Sequence, residues 1–361
     1  MKILFICGSA EPGKDGVGDY TRRLCGELIR TEHKVQILSL CDNYSPSFTN
    51  IKQFAEGSLI EVYRIPMASS IKQRILWTQE ILNNFQPDWI SLQFVPYSFN
   101  PKGVPFWLPS FLNKLKGNHQ WHIMFHELWL GIEREASFKK KCIGHIQKRI
   151  IKKMHKNVNP KVVHTQAKIY HYYLSKMAIG ACYLPLFGNV SVTAIENRNS
   201  EFIVFVVFAT IHNNSPFEDF IIDVRKEMEL VNKSSKFIFI GRHGNLLNSW
   251  TAILRKYNID YELIGPTSET IISQVLVGGN YGISSTPYKI SDKSGVVAAM
   301  REHQLPIISL TKSWVDQDDV NIVFDDIIYY QKGNSVLNKA PVVAKNSLKS
   351  VCEAFVNSID F

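Results

Sequence analysis

The stretch KILFICGSAEPGKDGVGDYTRRLCGEL, residues 2–28, joins an apolar run to a glycine-rich segment and then to a helical pattern. The apolar run at 3–7 predicts a buried strand, and residues 19–30 predict a helix. Four glycines lie in or next to the middle segment: Gly8, Gly13, Gly16 and Gly18. Glycine adopts positive φ and lacks Cβ, so we expect a loop whose amides approach a ligand. Because the following helix presents unpaired N–H groups there, that ligand is expected to carry a phosphate.

Short apolar runs and amphipathic stretches alternate along almost the whole chain, which is typical of βαβ units around parallel sheets. Strands are predicted at 3–7, 35–40, 59–65, 89–95, 122–125, 162–165, 202–208, 237–240, 261–264, 282–285, 307–310 and 322–324. In the first half, helices are predicted at 19–30, 71–85, 106–115, 137–156 and 166–176. The pattern restarts near residue 202, so it predicts an α/β protein with two doubly wound halves.

A chain of 361 residues is longer than a single core usually supports. The segment at about 185–200 loses periodicity and is rich in Asn, so it is the predicted linker. We expect domains at 1–190 and 191–340, and a terminal helix at 341–361 that packs back on the first domain. The two sheets are expected to face a central cleft, because ligands bind at the carboxyl ends of strands in such folds.

The composition is that of a folded protein, with 45% hydrophobic and 20% charged residues. The six cysteines form no CxxC pair, so neither a disulfide framework nor a zinc cluster is predicted, and a reducing cytoplasm fits best. The N-terminal apolar run stops at Gly8, and the longest run elsewhere, 202–209, is far shorter than the ~20 residues of a spanning helix. We expect a cytoplasmic protein that does not cross a membrane.

Positive charge is concentrated in one region. No Asp or Glu occurs between Glu135 and Glu196, while that interval holds eleven Lys or Arg residues, and removing these from the net charge of +9 leaves −2. Residues 138–156 place Ile143, Ile146, Ile150 and Met154 on one helical face. This pattern predicts a helix at an anionic membrane surface, in keeping with peripheral association at its inner face. The alternative is that the apolar face packs on the sheet and the lysines face water.

A second anion site is predicted in GISSTPYKISDKSGVVAAMREHQLPIIS, residues 282–309. Lys293-Ser294-Gly295 opens a helix after a strand, and a lysine there opposes the helix dipole unless an anion is bound. Arg242 follows another strand and adds a second cation. The alternative is that Ser294 or Asp292 only caps the helix. Two helix starts and two cations at one cleft would suit a diphosphate.

Four motifs carry a family resemblance: GVGDYTRRLCGEL (16–28), SLQFVPYSF (91–99), MFHELWLG (124–131) and KSGVVAAMREHQLPII (293–308). Together they resemble GT-B glycosyltransferases of the family 4 type. The resemblance implies two Rossmann-like domains, a nucleotide-sugar donor bound mainly by the C-terminal domain and an acceptor bound mainly by the N-terminal domain. It further implies retention of anomeric configuration and no required metal or cofactor.

Carried over by position, Gly16, Val17 and Gly18 match the loop that approaches the donor diphosphate. His126, followed by Glu127, matches the histidine that contacts the transferred sugar, and Lys293, Ser294 and Gly295 match the phosphate site. The chain also departs from the family. No glutamate occurs between Glu269 and Glu302, and residues 209–214 lack the usual arginine and lysine. We interpret Lys293 and Arg242 as their replacements, with His126, Lys293 and Arg242 as the catalytic set.

The predicted function is transfer of a sugar from a nucleotide diphosphate to a hydroxyl of a glycan or lipid-linked saccharide, as in polysaccharide, O-antigen or glycolipid assembly. One alternative is a catalytically silent binder of an acidic polymer, although no RNA- or DNA-binding signature supports a nucleic-acid partner. Another is an NAD-dependent oxidoreductase, which is weakened because Thr21 replaces the third glycine of the dinucleotide fingerprint. Asp316-Gln317-Asp318 spells a metal-binding DxD but is interpreted as an acidic surface loop, so no metal is predicted.

Overall fold

The computed structural model describes residues 1–193, 201–213, 215–312, 314–335, 337 and 346–360. The chain forms two compact units. The first contains Met1–Pro185, Val315–Val320 and Leu348–Phe361, and the second contains Leu186–Trp314 and Asn321–Ser347. The chain therefore returns twice to the first unit after entering the second.

The first unit is built on an eight-stranded sheet. Its strands are β1 (Lys2–Cys7), β2 (Lys34–Asp42), β3 (Thr49–Ala55), β4 (Ser58–Pro66), β5 (Trp89–Phe94), β6 (Gln120–Phe125), β7 (Val162–Thr165) and β8 (Cys182–Tyr183), in the order β3-β4-β2-β1-β5-β6-β7-β8. Its helices are α1 (Gly16–Arg30), α2 (Ile71–Phe85), α3 (Pro96–Phe99), α4 (Leu108–Leu112), α5 (Phe138–Val158), α6 (Lys168–Ser175) and α11 (Leu348–Ile359). Only β3 runs antiparallel, at the sheet edge. Every residue of β5 is buried, as expected for a central strand covered on both faces.

The second unit is built on a six-stranded parallel sheet. Its strands are β9 (Phe202–Phe208), β10 (Ser234–Ile240), β11 (Asp260–Gly265), β12 (Tyr281–Ser284), β13 (Ile307–Ser309) and β14 (Ile327–Tyr329), in the order β11-β10-β9-β12-β13-β14. Its helices are α7 (Phe217–Val231), α8 (Leu247–Lys256), α9 (Glu269–Gly278) and α10 (Gly295–Glu302), with a 3₁₀ segment at Tyr288–Lys293. Counted along the unit, this order is 3-2-1-4-5-6, that of the doubly wound dinucleotide-binding fold. The predicted α/β class with two Rossmann-like units is confirmed.

Several predicted elements differ from the observed ones. The strand expected at 322–324 is wrong, and β14 forms at 327–329 instead. The apolar side chains Ile322 and Phe324 are buried, but the Phe324 N–H donates to the Tyr288 hydroxyl at 2.9 Å rather than to a strand. The helix expected at 106–115 shortens to the five residues of α4, which has Pro109 in its first turn. Burial alone therefore did not determine which apolar runs pair as strands.

Helix α11 completes the first unit by packing against α1. Its Phe355 is fully buried, with its ring centroid 5.9 Å from that of Phe5 in β1 and 5.1 Å from that of His122 in β6. The last helix of the chain thus covers the central strands of its first sheet.

No helix in the described residues is both long and apolar enough to cross a bilayer. The longest, α5, packs against α4 and buries Ile150, Ile151 and Met154. Gly144 lies on the same buried face, where a Cβ would overlap the Leu130 carbonyl oxygen. Close approach of α5 to the 129–131 segment therefore requires glycine at this position.

Replacing Gly144 by alanine should lower the free energy of unfolding by about 1–3 kcal/mol. The reason is that the added methyl group meets backbone atoms and not a side chain that can move. The matched control is Gly180→Ala, since no atom lies within 4 Å of the Cβ position there. The control should change stability by no more than about 0.5 kcal/mol. Urea unfolding measures both, and equal midpoints would contradict the packing described for α5.

Candidate functional site

In each sheet the strand order reverses at one point, and the loops at the carboxyl ends of the two strands there are the expected ligand-binding segments. In the first unit that point lies between β1 and β5, and in the second it lies between β9 and β12. Most of the predicted site residues follow these strands or their immediate neighbours.

The glycine-rich segment after β1 differs from the predicted loop. Helix α1 begins at Gly16 rather than at residue 19, so Gly16, Val17 and Gly18 form its first turn. Of the four glycines, only Gly13 has positive φ, at 70°. Gly18 is needed for a different reason, because a Cβ there would lie 2.5 Å from the Ser9 carbonyl oxygen. The expectation of a loop reaching to Gly18 is wrong: the last two glycines belong to a helix that packs closely on the end of β1.

The amino end of α1 already contacts carboxylates of the chain itself. Asp15 is the N-cap, and its side chain accepts the Gly18 N–H at 2.7 Å. The Gly13 N–H donates to Asp19 at 3.0 Å. Burial raises the pKa of Asp15, because the charged form loses hydration. A phosphate at this helix end would have to displace or neutralise Asp15, so the amides are not bare as the sequence pattern indicated.

His126 lies just after β6 and is 3% exposed. Its Nε2 lies 2.8 Å from Gln93 Oε1, and its ring packs edge-on against Tyr20 with centroids 4.9 Å apart. Burial lowers the pKa of His126 to about 3, and a hydrogen bond with Gln166 opposes that shift. The imidazole is therefore neutral near pH 7. Glu127, the next residue, is partly buried.

His126 is one end of a buried chain of hydrogen bonds that crosses three adjacent strands. Gln93 Nε2 donates to Ser91 Oγ at 2.7 Å, Ser91 Oγ lies 2.8 Å from His122 Nδ1, and His122 Nε2 lies 3.0 Å from His164 Nδ1. All five side chains are at most 3% exposed. Burial lowers the pKa of His122 well below its usual value and that of His164 to about 4. Each ring is thus held neutral and can donate only once.

The orientation of the Gln93 amide sets the direction of its hydrogen bond with His126. Since Gln93 uses its amide nitrogen on Ser91, its oxygen must accept from Nε2–H of His126. With the Gln93 amide in this orientation, His126 is the Nε2–H tautomer and its Nδ1 keeps a lone pair. Gln166 is a second hydrogen-bonding neighbour of the ring. Beyond Ser91, whose oxygen can accept two hydrogen bonds, the donor in each contact of His122 and His164 depends on the ring tautomer.

In the second unit, Arg242 and Lys293 lie in the segments that follow the two strands flanking β9. Arg242 follows β10 and is exposed, and Lys293 ends the 3₁₀ segment after β12 and is partly exposed. His243 Nδ1 lies 2.8 Å from the Ala209 carbonyl oxygen, which holds the loop after β10 against the loop after β9. Since β10 and β12 both pair with β9, the two cations arise at the same edge of one sheet.

Ser294 caps α10, and its hydroxyl accepts the Val297 N–H at 3.5 Å. Ser294 thus caps the helix, and its contact with an anion stays a prediction. The Thr286 hydroxyl lies 3.2 Å from the same oxygen, and Gly295 is exposed with no atom within 4 Å of its Cβ position. Unlike the amino end of α1, this helix end is capped by a neutral hydroxyl. A Cβ at Gly295 would meet only open space.

The loop after β9 is tied to the loop after β12. The His212 N–H donates to Ser285 Oγ at 2.8 Å, and its ring Nδ1 lies 3.1 Å from the same hydroxyl. This loop lacks the arginine and lysine expected for the family, and Asn214 lies outside the described residues. In the described part of this segment, the observed contacts with the loop after β12 are made by the backbone and the ring of His212 and not by charged side chains.

One of the three DxD-like residues is buried and the other two are exposed. Asp316 is fully buried and accepts the Tyr173 hydroxyl at 2.8 Å, while Asp318 pairs with Lys176 at 2.8 Å. The interpretation of a solvated loop is therefore wrong for Asp316, which anchors residues Val315–Val320 to α6 of the first unit. Within the described ranges, no three His, Cys, Asp or Glu side chains are arranged to hold a metal ion.

Helix α5 presents two different faces. Ile150 and Met154 are buried and Ile143 and Ile146 are partly buried, so the apolar stripe packs on the first unit, as the alternative interpretation held. The opposite face is exposed and begins with Phe138, which is 84% exposed. Its cations recur at helical spacing: Lys141, Arg149, Lys152, Lys153 and Lys156. A cationic stripe, rather than an apolar one, faces outward.

Sequence reasoning missed the hydrogen-bonded neighbours of His126. The apolar periodicity predicts only strands for the segments that contain Ser91, Gln93, His122 and His164. A signal was present, because WISLQF and QWHIMF interrupt otherwise apolar central strands with polar residues. Buried polar side chains require partners, so polar residues on adjacent central strands indicate a network.

The fold is similar to that of several solved sugar-nucleotide enzymes. HepE of Anabaena in complex with UDP aligns with a TM-score of 0.54 at 9% identity, over 100% of this chain and 90% of that chain. The lipopolysaccharide outer core galactosyltransferase WaaB aligns with a TM-score of 0.53 at 11% identity, over 100% and 90%. A putative UDP-N-acetylglucosamine 2-epimerase from Listeria monocytogenes aligns with a TM-score of 0.52 at 7% identity, over 100% and 88%. At these identities, the likeness shows the GT-B fold alone.

No protein-family model matches the chain, and no curated protein matches it by sequence. The predicted GT-B fold is confirmed by the structural neighbours, whereas membership of family 4 stays a prediction.

The direction of the buried chain predicts how His126 responds to changes at Gln93. In the unchanged protein, ring-nitrogen NMR should show His126 as the Nε2–H tautomer, neutral down to about pH 4, because its pKa is about 3. Gln93→Glu places a carboxylate beside Nε2–H and should raise that pKa, since an opposite charge favours the imidazolium. Ser91→Ala, which cuts the chain at the next link, should leave the His126 tautomer unchanged. An Nδ1–H tautomer in the unchanged protein would refute the assigned direction.

Proposed function

We propose that the chain is a retaining glycosyltransferase that moves a sugar from a nucleotide diphosphate to a hydroxyl of a glycan or lipid-linked saccharide. The observation that carries this proposal is in the second unit, where Lys293 and the capped start of α10 share a sheet edge with Arg242. Two cations and a helix dipole favour an anion with more than one charge. A diphosphate at the switch point of a doubly wound sheet satisfies this arrangement.

The proposed chemistry requires charge stabilisation at the leaving group. The bond between the anomeric carbon and the diphosphate oxygen breaks, and negative charge develops on the departing diphosphate. Lys293 and Arg242 offset this charge, and fixed positive groups act most strongly where charge develops in the transition state. The acceptor oxygen bonds to the anomeric carbon from the face that the diphosphate leaves, and its proton passes to the departing phosphate. No metal is assigned to this step.

His126 is assigned to positioning the transferred sugar rather than to proton transfer. Its pKa of about 3 keeps it neutral, and Gln93 already accepts its single N–H. In the proposed complex a sugar hydroxyl donates to the ring at Nδ1, in addition to or in place of the hydrogen bond with Gln166. Glu127 is assigned to the same sugar or acceptor region by sequence position alone.

The donor base and the sugar are to be found by screening. Because the HepE structure contains UDP, UDP and its sugars are the first candidates, followed by those of GDP, dTDP and ADP. Thermal shifts identify the nucleotide, and product analysis separates the remaining functions. Release of free sugar or of a glycoside supports the transferase, conversion of the donor to an epimer supports an epimerase, and binding without turnover supports a silent binder. Nicotinamide-dependent absorbance change would support the oxidoreductase.

Lys293→Ala should weaken binding of the nucleotide diphosphate by about 10–100-fold, which corresponds to loss of a charge-assisted hydrogen bond of about 1.5–3 kcal/mol. Isothermal titration with UDP, or with whichever nucleotide the screen identifies, measures the change. Arg242→Ala should act in the same direction.

The matched control is Lys256→Ala, which removes an exposed lysine of the same unit that pairs with Glu218 at 2.7 Å. Its nucleotide affinity should equal that of the unchanged protein. If Lys293→Ala binds nucleotide and turns over as well as this control, the phosphate assignment is refuted.

We also propose that the acceptor reaches the protein at an anionic membrane surface contacted by the outward stripe of α5. Each lysine near such a surface contributes about 1 kcal/mol, and the exposed ring of Phe138 can enter the headgroup region. The proposal uses the face that the structure leaves exposed, not the apolar stripe that packs inward.

Changing Lys141, Arg149 and Lys152 together to glutamine should weaken binding to vesicles that contain phosphatidylglycerol by about 100-fold, from about 3 kcal/mol of lost attraction. Co-sedimentation at two salt concentrations measures it. The control changes Lys226, Lys233 and Lys256 of the second unit, which are equally exposed. Equal losses in the two triple variants would show that net charge alone, and not α5, determines binding.

A further inference from the structure

Three arginines in the described residues are buried, and two of them have carboxylate partners. Arg64 is 8% exposed and donates to both oxygens of Asp42, each at 2.9 Å, with Glu11 at 2.6 Å as a second partner. Arg301 is 6% exposed and donates to both oxygens of Asp326. These pairs show how this chain normally compensates a guanidinium inside the protein.

Arg74, in the first turn of α2, is the exception. It is 4% exposed, and its side chain makes one hydrogen bond, from Nη2 to the Met67 carbonyl oxygen at 2.7 Å. In the part of the chain that the structure describes, no carboxylate lies within ion-pair distance of it. Its Nη1 is buried with no acceptor. The guanidinium therefore keeps a full charge, and the one atom that accepts a hydrogen bond from it is a neutral carbonyl oxygen.

This arrangement is energetically unfavourable for the protein alone. Burial lowers the pKa of Arg74, whereas the hydrogen bond to Asp42 raises that of Arg64. Arginine nevertheless stays protonated in proteins, so the charge cannot be removed by loss of a proton. The nearby Cys41 thiol has its pKa raised by burial to about 11 and is neutral, so it supplies no counter-charge. A neutral donor could make the same hydrogen bond to the Met67 carbonyl oxygen, so this contact does not explain a charged side chain at this position.

The contacts of Arg74 place it at the carboxyl edge of the first sheet. Met67 directly follows β4, and Cys41 lies near the end of β2, where its N–H donates to the Gly8 carbonyl oxygen at 2.8 Å. The ring of Trp107 lies 5.4 Å from the guanidinium carbon, and the Trp107 N–H donates to the Phe99 carbonyl oxygen at 3.3 Å. Trp107 is only partly buried. The guanidinium thus lies behind a partly exposed aromatic ring at the edge where ligands bind in such sheets.

A second buried polar group lies on the same helix face. Thr78 is four residues after Arg74, which places both side chains on one side of α2. It is fully buried, and its hydroxyl also has no hydrogen-bond partner. Arg74 Nη1 and the Thr78 hydroxyl are therefore two buried donors on one helix face for which the described residues supply no acceptor.

We propose that Arg74 anchors a site in the first unit for an oxyanion, either a carboxylate or a phosphate of the ligand. The oxyanion accepts from Nη1 and supplies the missing counter-charge, and the side chain of Trp107 moves to admit it. Planar guanidinium groups bind both classes of oxyanion well. If the proposed transferase function holds, on which this last step rests, the acceptor is an acidic or phosphorylated saccharide.

Anion binding is measured on the full chain without any donor, by thermal denaturation at constant ionic strength with inorganic phosphate, galacturonate or chloride. Phosphate or galacturonate should stabilise the unchanged protein relative to chloride. In Arg74→Met the dissociation constant for that anion should rise at least tenfold. Without anion, Arg74→Met should be as stable as the unchanged protein or more so, because an unpaired buried charge has been removed. Arg74→Lys should keep part of the anion effect.

Arg64→Met is the contrast, because it leaves the buried Asp42 without its partner and should be strongly destabilised with or without anion. Stabilisation by phosphate but not by galacturonate indicates a phosphorylated ligand. Stabilisation by galacturonate but not by phosphate indicates an acidic sugar. The inference is overturned if neither anion acts, if Arg74→Met retains the effect, or if Arg74→Met is destabilised as severely as Arg64→Met. Nucleotide binding by Arg74→Met is measured in parallel, so that failure of the transferase proposal is seen separately.

Discussion

The structure depends most on the pairing of polar groups inside sheets that are covered on both faces. Side chains at the centre of the first sheet are buried, so the donors placed there need acceptors in the protein. The chain from His164 through His122, Ser91 and Gln93 to His126 meets this requirement with one hydrogen bond at each step. This network of hydrogen bonds ends at His126, whose Nδ1 keeps a lone pair, at the carboxyl edge of the sheet. The contacts that pair polar groups inside this sheet thus also orient a site residue.

The two helix ends that the sequence treated as equivalent are electrostatically different. At α1 the Asp15 carboxylate occupies the amino end, and a second carboxylate, Asp19, holds Gly13. At α10 the cap is the Ser294 hydroxyl, and Lys293 precedes it. A helix end that already has a negative charge gains little from another anion, whereas one with a neutral cap and an adjacent cation gains more. The second unit is therefore the better candidate for donor phosphates, and the first unit contributes mainly through side chains.

Much of the fold followed from apolar periodicity, since most central strands were predicted within one or two residues. The failures have physical causes. The run at 322–324 is apolar and buried, yet Tyr288 satisfies its backbone where a strand neighbour was expected. Asp15 could not be recognised as a cap while the helix was expected to start at residue 19. The partners of His126 come from strands 31 to 42 residues apart in sequence. Arg74 was not recognised at all, because local pattern says nothing about missing partners.

The return of the chain to its first unit has a consequence for biosynthesis. Phe355 contacts Phe5 and His122, and Asp316 accepts the hydroxyl of Tyr173, so strands that are made early are completed by residues that are made much later. Domains usually fold in order as they leave the ribosome. Here the apolar surface between α1 and the first sheet is covered only after translation has reached α11. A fragment ending near residue 185 would lack that cover and would expose Phe5 and His122 on the side that Phe355 occupies.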